Sequence, residues 1–562
     1  MHRQVVRKRA EVVAIDVDPV VRLHFVEVAS PSLDDASSDL GRLLDALEAQ
    51  WGLTDLDYDD HLPAALQPAL REGKQQVTVA VHDGGEVTAI WPGFHDVALG
   101  VAYDVGSTTV AAHLCDLTSG DVLASAGIMN PQIRFGEDLM SRVSYVMMNP
   151  GGERELTAVV RAAMNDLIAE LIAAAGADRA DILEVTVVGN PIMHHLVLGI
   201  DPTPLGTAPF ALAVDRALRT KTAVIDLRTH PGARLYLLPC IAGHVGADAA
   251  AAVLSEGPHR GDAVQLLVDV GTNAEIVLGS SGRLLAASSP TGPAFEGAQI
   301  SSGQRAAPGA IERVRIDRES LEPRFRVIGS DLWSDDPGFA AATASIGVTG
   351  ICGSGIIEVL AELFLAGVIS SDGVIGGDHP RIVADGRTSA YVLVDGPQPI
   401  RITQNDVRAI QLAKAALYAG VRLLMEHLGV SAVDQIRLAG AFGSHIDTKY
   451  AMILGLIPDC DLTAVSAAGN AAGTGAMMAL LSGSARREIE DVAAGIEKIE
   501  TATEPRFQEL FVNAMGIPHT TDLFPQLAAV VDLPVRGSVG GRATRRKRSS
   551  ARPRGSAEGS AE

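Results

Sequence analysis

From Val20 the chain alternates apolar and polar positions (VVRLHFVEV), as a half-buried strand does, and then changes to the longer period of an amphipathic helix in LDDASSDLGRLLDALEAQW. Ser32 is the expected cap of that helix, with Asp34 and Asp35 in its first turn. A second short helix is expected over Pro63–Glu72, and QVTVAVHDGGEVTAIWPG reads as two strands joined at Asp83-Gly84-Gly85. A small α+β module therefore ends near Gly93, and residues 1–97 are assigned to it. From about Val97 to Leu481, valine-rich strands, tight glycine turns and alanine-rich helices alternate, the pattern of an α/β fold.

Two passages of that stretch look alike. Tyr103-Asp-Val-Gly-Ser-Thr-Thr-Val-Ala-Ala-His-Leu114 and Val268-Asp-Val-Gly-Thr-Asn-Ala-Glu-Ile-Val-Leu-Gly279 share an apolar strand, Asp-Val-Gly, a polar turn and a second strand, at an offset of 165 residues. So long an offset marks a duplicated lobe rather than a short-period solenoid. The expected lobes span 98–258 and 259–525, and the Gly, Ser and Arg content further on predicts a disordered basic tail over 526–562.

The length of 562 residues accommodates several domains, and 47% hydrophobic residues against 20% charged ones argues against wholesale disorder. A net charge of −22 disfavours nucleic acid and anionic membrane surfaces as partners. The acidity is concentrated: the segment from Pro534 holds eight Lys or Arg against two Glu, which leaves −28 for the remainder. Arg545-Arg-Lys-Arg548 therefore reads as a solvated tail. No stretch reaches the roughly 18 uninterrupted apolar residues of a membrane span, and the expected location is cytoplasmic. The four cysteines, Cys115, Cys240, Cys352 and Cys460, are widely separated, which argues against a disulfide framework or a zinc site.

The duplicated turns are the strongest chemical signal. In Asp104-Val-Gly-Ser-Thr-Thr109, Gly106 permits a sharp turn whose amides, with those of Ser107, Thr108 and Thr109, can point at one anion. The Asp104 carboxylate at the strand end would repel a phosphate unless a divalent cation lay between them, which implies Mg²⁺ held largely through water. Asp269, Gly271, Thr272 and Asn273 repeat every part of this argument, so two turns could grip one polyphosphate from opposite sides. A lone D-x-G-x-T is often only a hairpin signal; two in matching contexts, each with an acid where a metal would sit, argue for function. A third glycine turn, Ile436-Arg-Leu-Ala-Gly-Ala-Phe-Gly-Ser-His445, and Gly469-Asn-Ala-Ala-Gly-Thr-Gly475 would let backbone approach a flat ligand such as adenine and ribose; the first contributes Gly440, Ala441, Phe442 and Gly443. Neither a P-loop nor a strand-linked G-x-G-x-x-G is present.

These residues resemble the superfamily of actin, sugar kinases and large heat-shock chaperone ATPases (ASKHA). Val188-Gly-Asn-Pro-Ile-Met-His-His195 and Thr349-Gly-Ile-Cys-Gly-Ser-Gly-Ile-Ile-Glu358 would be its connecting segments. More narrowly, five strings resemble the reductive activators of corrinoid proteins: Asn130-Pro-Gln-Ile-Arg-Phe-Gly-Glu-Asp138, Leu238-Pro-Cys-Ile-Ala-Gly-His-Val-Gly-Ala-Asp248, Thr291-Gly-Pro-Ala-Phe-Glu-Gly297, Gln404-Asn-Asp-Val-Arg-Ala-Ile-Gln-Leu-Ala-Lys414 and Gly469-Asn-Ala-Ala-Gly-Thr-Gly-Ala476. The resemblance covers about residues 20–520.

It implies an α/β fold of two ribonuclease-H-like lobes, actin-like, after the small module, with ATP and Mg²⁺ in the cleft and Asp104 and Asp269 as the metal-supporting catalytic acids. It also implies ATP-dependent return of a corrinoid protein's cobalt from Co(II) to Co(I), in a protein whose habit is homodimeric. Asp138, Asp248 and Glu296 are unranked candidates for orienting the attacking water. Typical members begin with a plant-type ferredoxin domain; residues 1–114 hold no cysteine, so no iron–sulfur cluster is expected in this chain, and a separate ferredoxin-like donor is the expected electron source. A corrinoid-protein escort without electron transfer, or a small-molecule kinase of the same superfamily, remain the alternatives. Cys352 reads as a structural small residue, and His194, His195, His244 and His445 as packing or hydrogen-bonding histidines.

Overall fold

The alternation that opens the chain is realised in an antiparallel sheet of β1 (Val21–Glu27), β2 (Gln76–His82) and β3 (Glu86–Pro92), edged by the short strand Asp57–Tyr58. The computed structural model describes residues 15–34, 36–136, 138–271, 273–443 and 446–534. Helices α1 (Asp39–Trp51) and α2 (Leu62–Glu72) cover one face of the sheet, burying Leu43, Leu47, Leu66 and Leu70 against Val26, Val77, Val79 and Val87. The cap of α1 is Ser38, not Ser32: its hydroxyl accepts the Gly41 amide at 3.0 Å, two residues before the apolar period begins at Leu40.

The two look-alike passages head two sheets of one topology. The first comprises β4 (Leu99–Val105), β5 (Thr109–Asp116), β6 (Val122–Met129), β7 (Ile182–Gly189), β8 (Leu218–Lys221) and β9 (Arg234–Leu237), in the order β6-β5-β4-β7-β9-β8. The second comprises β10 (Gln265–Val270), β11 (Ala274–Ser280), β12 (Arg283–Ser289), β13 (Gln435–Ala439) and β14 (Val465–Gly469), in the order β12-β11-β10-β13-β14, with Glu497–Lys498 beside β12. In each, three antiparallel strands are continued by two parallel ones. This is a mixed α/β architecture of the actin-like kind.

Each sheet has an outer and an inner face. The long helix Gly152–Ala175 covers the outer face of the first, and Gly353–Leu365 and Gln404–Leu428 contribute to the outer core of the second. Between the inner faces lie Ala247–Glu256, which leaves the first sheet and reaches β10 and β11, and Ala471–Leu481, which leaves the second sheet and packs on β4 and β7. These two crossing helices are the connectors, in place of the Val188–His195 and Thr349–Glu358 segments. The helix Pro191–Leu198 instead buries Ile192 and Met193 in the outer core of the first sheet, and Gly353–Leu365 that of the second, because their apolar residues face those cores.

The composition of the connectors follows from their closeness. A Cβ at Gly475 would lie 2.0 Å from the Ala251 carbonyl oxygen, so only glycine admits this approach, and Ala247 and Ala249–Ala252 are all buried in the shared core.

The first residues assigned to the tail are folded. Pro525–Val530 is a helix with Leu527 fully buried, and the Asp459 carboxylate accepts the Gln526 and Leu527 amides. The rest of that expectation falls on residues 535–562, outside the described residues. Among the described residues no helix is long and apolar enough to cross a membrane.

Gly475→Val is expected to lower the free energy of unfolding by about 2 kcal/mol or more through overpacking between the connectors; urea denaturation checks this, and an unchanged midpoint would show that the helices can part at no cost.

Candidate functional site

Strand periodicity decides where the acids point. In β4, Ala102 belongs to the inner core and Tyr103 to the outer one, so Asp104 faces inward; in β10, Leu267 and Val268 divide in the same way, and Asp269 faces inward. Both acids stand at the penultimate position of their strand, just before the turn. Glu275 sits directly opposite Asp269 in the β10–β11 pairing and shares its face, since Val277 lies in the inner core.

The fourth acid, Asp248, is the second residue of the first connector and caps nothing beyond its own turn, accepting the Ala249 amide at 2.9 Å. Its carboxyl is pushed up to about 7 by burial and by the charge of Asp269, with a smaller push from Asp104. Glu275 is raised well above the usual carboxylate range by burial, Asp248 and Asp269. Four carboxyls thus converge from β4, β10, β11 and the connector. Asp104 is buried while the other three keep partial solvent contact, so they line a hollow rather than fill a core. Asp248 and Glu275 form no ion pair among the described residues. An all-oxygen, mutually repelling set of this kind fits a hard divalent cation.

The turns are braced from behind. Asn130 donates through Nδ2 to the Gly106 carbonyl at 2.8 Å and through its amide to the Thr108 carbonyl at 2.8 Å. Fully buried Arg142 donates to the Ser107 carbonyl and to Gln132 Oε1. With these carbonyls drawn away, the Ser107 and Thr108 amides donate to no protein acceptor among the described residues. The Gly106 amide differs from expectation: it is consumed within the turn, donating to the Thr109 carbonyl at 3.0 Å, because the hairpin closes on it. The second turn is built alike, with the Gly271 amide on the Asn273 carbonyl at 3.1 Å and Thr291 Oγ1 donating to the Gly271 carbonyl at 3.2 Å. Thr272 lies outside the described residues.

Gly440 follows β13 with φ +86°, and a Cβ there would lie 2.4 Å from Asp269 Oδ1, so this glycine turn abuts the acid cluster. Gly443 is needed for packing, since its Cβ would meet the Leu438 carbonyl carbon at 3.0 Å; the side chains of Ala441 and Phe442, and all of Ser444 and His445, are outside the described residues. Of the three unranked acids, Asp248 couples to Asp104 and Asp269, whereas Asp138 caps the helix Leu139–Met148 through the Ser141 amide. Glu275 was missed by sequence reasoning, although an acid within an apolar strand opposite Asp269 was a usable signal.

The remaining candidates are structural. Cys352 precedes Gly353–Leu365 without a capping side-chain bond, buried, with Sγ 3.3 Å from the Ile311 carbonyl; His195 Nδ1 lies 2.8 Å from the Pro191 carbonyl oxygen; His194 is packed, its pKa pushed down to about 4 by burial. Asp59, Asp60 and His61 cluster closely, but Lys221 and Arg234 already neutralise them at the junction of the module with the first sheet.

Comparison with known proteins settles the kinship. Residues 10–97 match the "RACo linker region", 99–261 the "RACo middle region" and 263–528 the "C-terminal domain of RACo the ASKHA domain". The chain belongs to the RACo family. Similar members include "Corrinoid activation enzyme RamQ" of Eubacterium limosum, 36% identical over 74% of this chain and 69% of that protein. The "[Co(II) methylated amine-specific corrinoid protein] reductase" of Methanosarcina barkeri is 27% identical over 64% of this chain and 66% of that protein. This chain thus spans about two thirds of the length of these curated relatives. A solved "Reductive activator for corrinoid,iron-sulfur protein" is 34% identical and superposes with TM-score 0.79 over 92% of this chain and 82% of that one.

In this RACo-family chain, folded Asp248 holds a proton that the unfolded chain releases near 3.8, so its contribution to stability falls as pH rises from there to about 7. Asp248→Asn removes that loss. In EDTA, its melting temperature is expected to gain on that of the unaltered chain by several degrees as pH rises from about 5 to about 8; two parallel curves would contradict the coupling.

Proposed function

We propose that the chain hydrolyses ATP with Mg²⁺ and couples that reaction to one-electron reduction of a corrinoid protein, Co(II) plus an electron giving Co(I). The observation that carries this is the convergence of Asp104, Asp269 and Asp248 at one hollow, in a chain of the RACo family whose named relatives act on corrinoid proteins. Bound Mg²⁺ would screen the phosphate charge from the carboxylates and polarise the phosphoryl group under attack.

The protein's own residues would do the rest. Asp104 and Asp269 would hold the cation, and the Ser107 and Thr108 amides would receive phosphate oxygens. Asp248, titrating near neutrality, orients the attacking water and can take its proton. Gly271, Thr272 and Asn273 form the opposing phosphate turn, and Gly440 to Gly443 border the nucleoside. Because the connectors each touch the sheet they did not come from, closure of the halves on a nucleotide would be transmitted to the surface that meets the corrinoid protein, to the extent that ATP prefers the closed form.

The electron enters from a separate ferredoxin-like donor in this reading, and Cys115, Cys240, Cys352 and Cys460 are all buried. A cytoplasmic homodimer completes it, on the family resemblance alone.

With a low-potential reductant and a Co(II) corrinoid protein, ATP is expected to bring up the Co(I) absorption band, and Asp104→Ala or Asp269→Ala to slow it by about 100-fold or more with the fold intact. Nucleotide-dependent complex formation without reduction would favour an escort instead, and full turnover by either variant would remove these acids from the site.

A further inference from the structure

Arg305 reaches across the cleft in a way that the nucleotide reading leaves unused. Its segment is anchored to the second half: the Gln304 amide donates to the Ile351 carbonyl at 2.9 Å and Gln304 Nε2 to Thr349 Oγ1 at 2.9 Å. Immediately after this anchor, Arg305 extends to the other half, where Nη1 lies 3.4 Å from Met129 Sδ at the end of β6. Met129 pairs with Thr109, the last residue of the first phosphate turn, and its neighbour Asn130 is the residue that braces that turn. Ile128 and Val110 face the outer core, so Met129 and Thr109 both face the cleft, on the same side of the sheet as Asp104.

The contact satisfies little of the guanidinium. A thioether is a weak acceptor, Arg305 is exposed, and it makes no ion pair with any described residue, in a chain with an excess of 22 negative charges. Arginines elsewhere in the same half find carboxylates: Arg313 and Arg315 on Glu358, Arg326 on Glu312, Arg381 on Glu322. A cation left without a carboxylate, carried by one half and resting beside the phosphate turn of the other, suits an anion that arrives between them.

We propose that Arg305 binds the terminal phosphate of the nucleotide and thereby makes closure of the two halves depend on ATP rather than ADP. This rests on the nucleotide site described above. The forked donors would take two oxygens of the outermost phosphate, the group ADP lacks, while the two hairpins hold the phosphates common to both nucleotides.

Calorimetric titration of the full chain with Mg-ATP and with Mg-ADP separates the possibilities. Arg305→Ala, which removes an exposed side chain and opens no core, is expected to weaken ATP binding by about 10- to 100-fold while ADP binding stays within about twofold, and Arg305→Lys is expected to recover part of the loss. Equal weakening of both nucleotides, or none, with the unaltered chain binding both, would overturn the role of Arg305 alone. Failure of the unaltered chain to bind either nucleotide would overturn the nucleotide reading and this inference with it.

Discussion

Mutual repulsion among Asp104, Asp248, Asp269 and Glu275 is the constraint around which the middle of the molecule is arranged. Two of these acids face each other across an antiparallel pair, a placement that costs stability in an ordinary sheet, and a third is brought to them by a helix start. Part of the repulsion is relieved by protons, as the upward shifts of Asp248 and Glu275 show. A fold that retains such a cluster does so at the expense of its own stability, as functional sites commonly do.

The surrounding architecture holds the cluster together without filling it. The connectors pack backbone against backbone at Gly475 and Ala251, fixing the distance between the sheets, while Arg142 and Asn130 turn the carbonyls of the first hairpin away from the hollow. The small module is joined to the first sheet by buried ion pairs, Asp59 with Arg234 and Lys221, and by His82 beside Glu184, which also holds Arg486 of the helix that follows the second connector. The module is thus tied to the first sheet and, through Glu184, to the helix after the second connector.

Much of this was legible in the residues. The duplicated Asp-Val-Gly hairpins carry their own strand periods, and these alone place Asp104 and Asp269 on one face each. What the sequence did not reveal depends on pairing between distant segments. Asp248 could not be ranked above Asp138 until the first connector met both turns, whereas Glu275, six residues from Asp269 in one hairpin, was legible from the local register. The connectors were misplaced because alanine-rich text carries little facial asymmetry: the helix Ala471–Leu481 is buried on nearly every side. The Ser32 cap failed for a local reason, since Ser38 stands closer to the first apolar turn.

In the proposed function the two hairpins share one cation with the nucleotide. Electron paramagnetic resonance of Mn²⁺ in place of Mg²⁺ tests it most directly. One Mn²⁺ per chain is expected, bound tightly only when ATP is present and lost in both Asp104→Asn and Asp269→Asn. Tight Mn²⁺ binding that ignores ATP, or that survives either substitution unchanged, would contradict it.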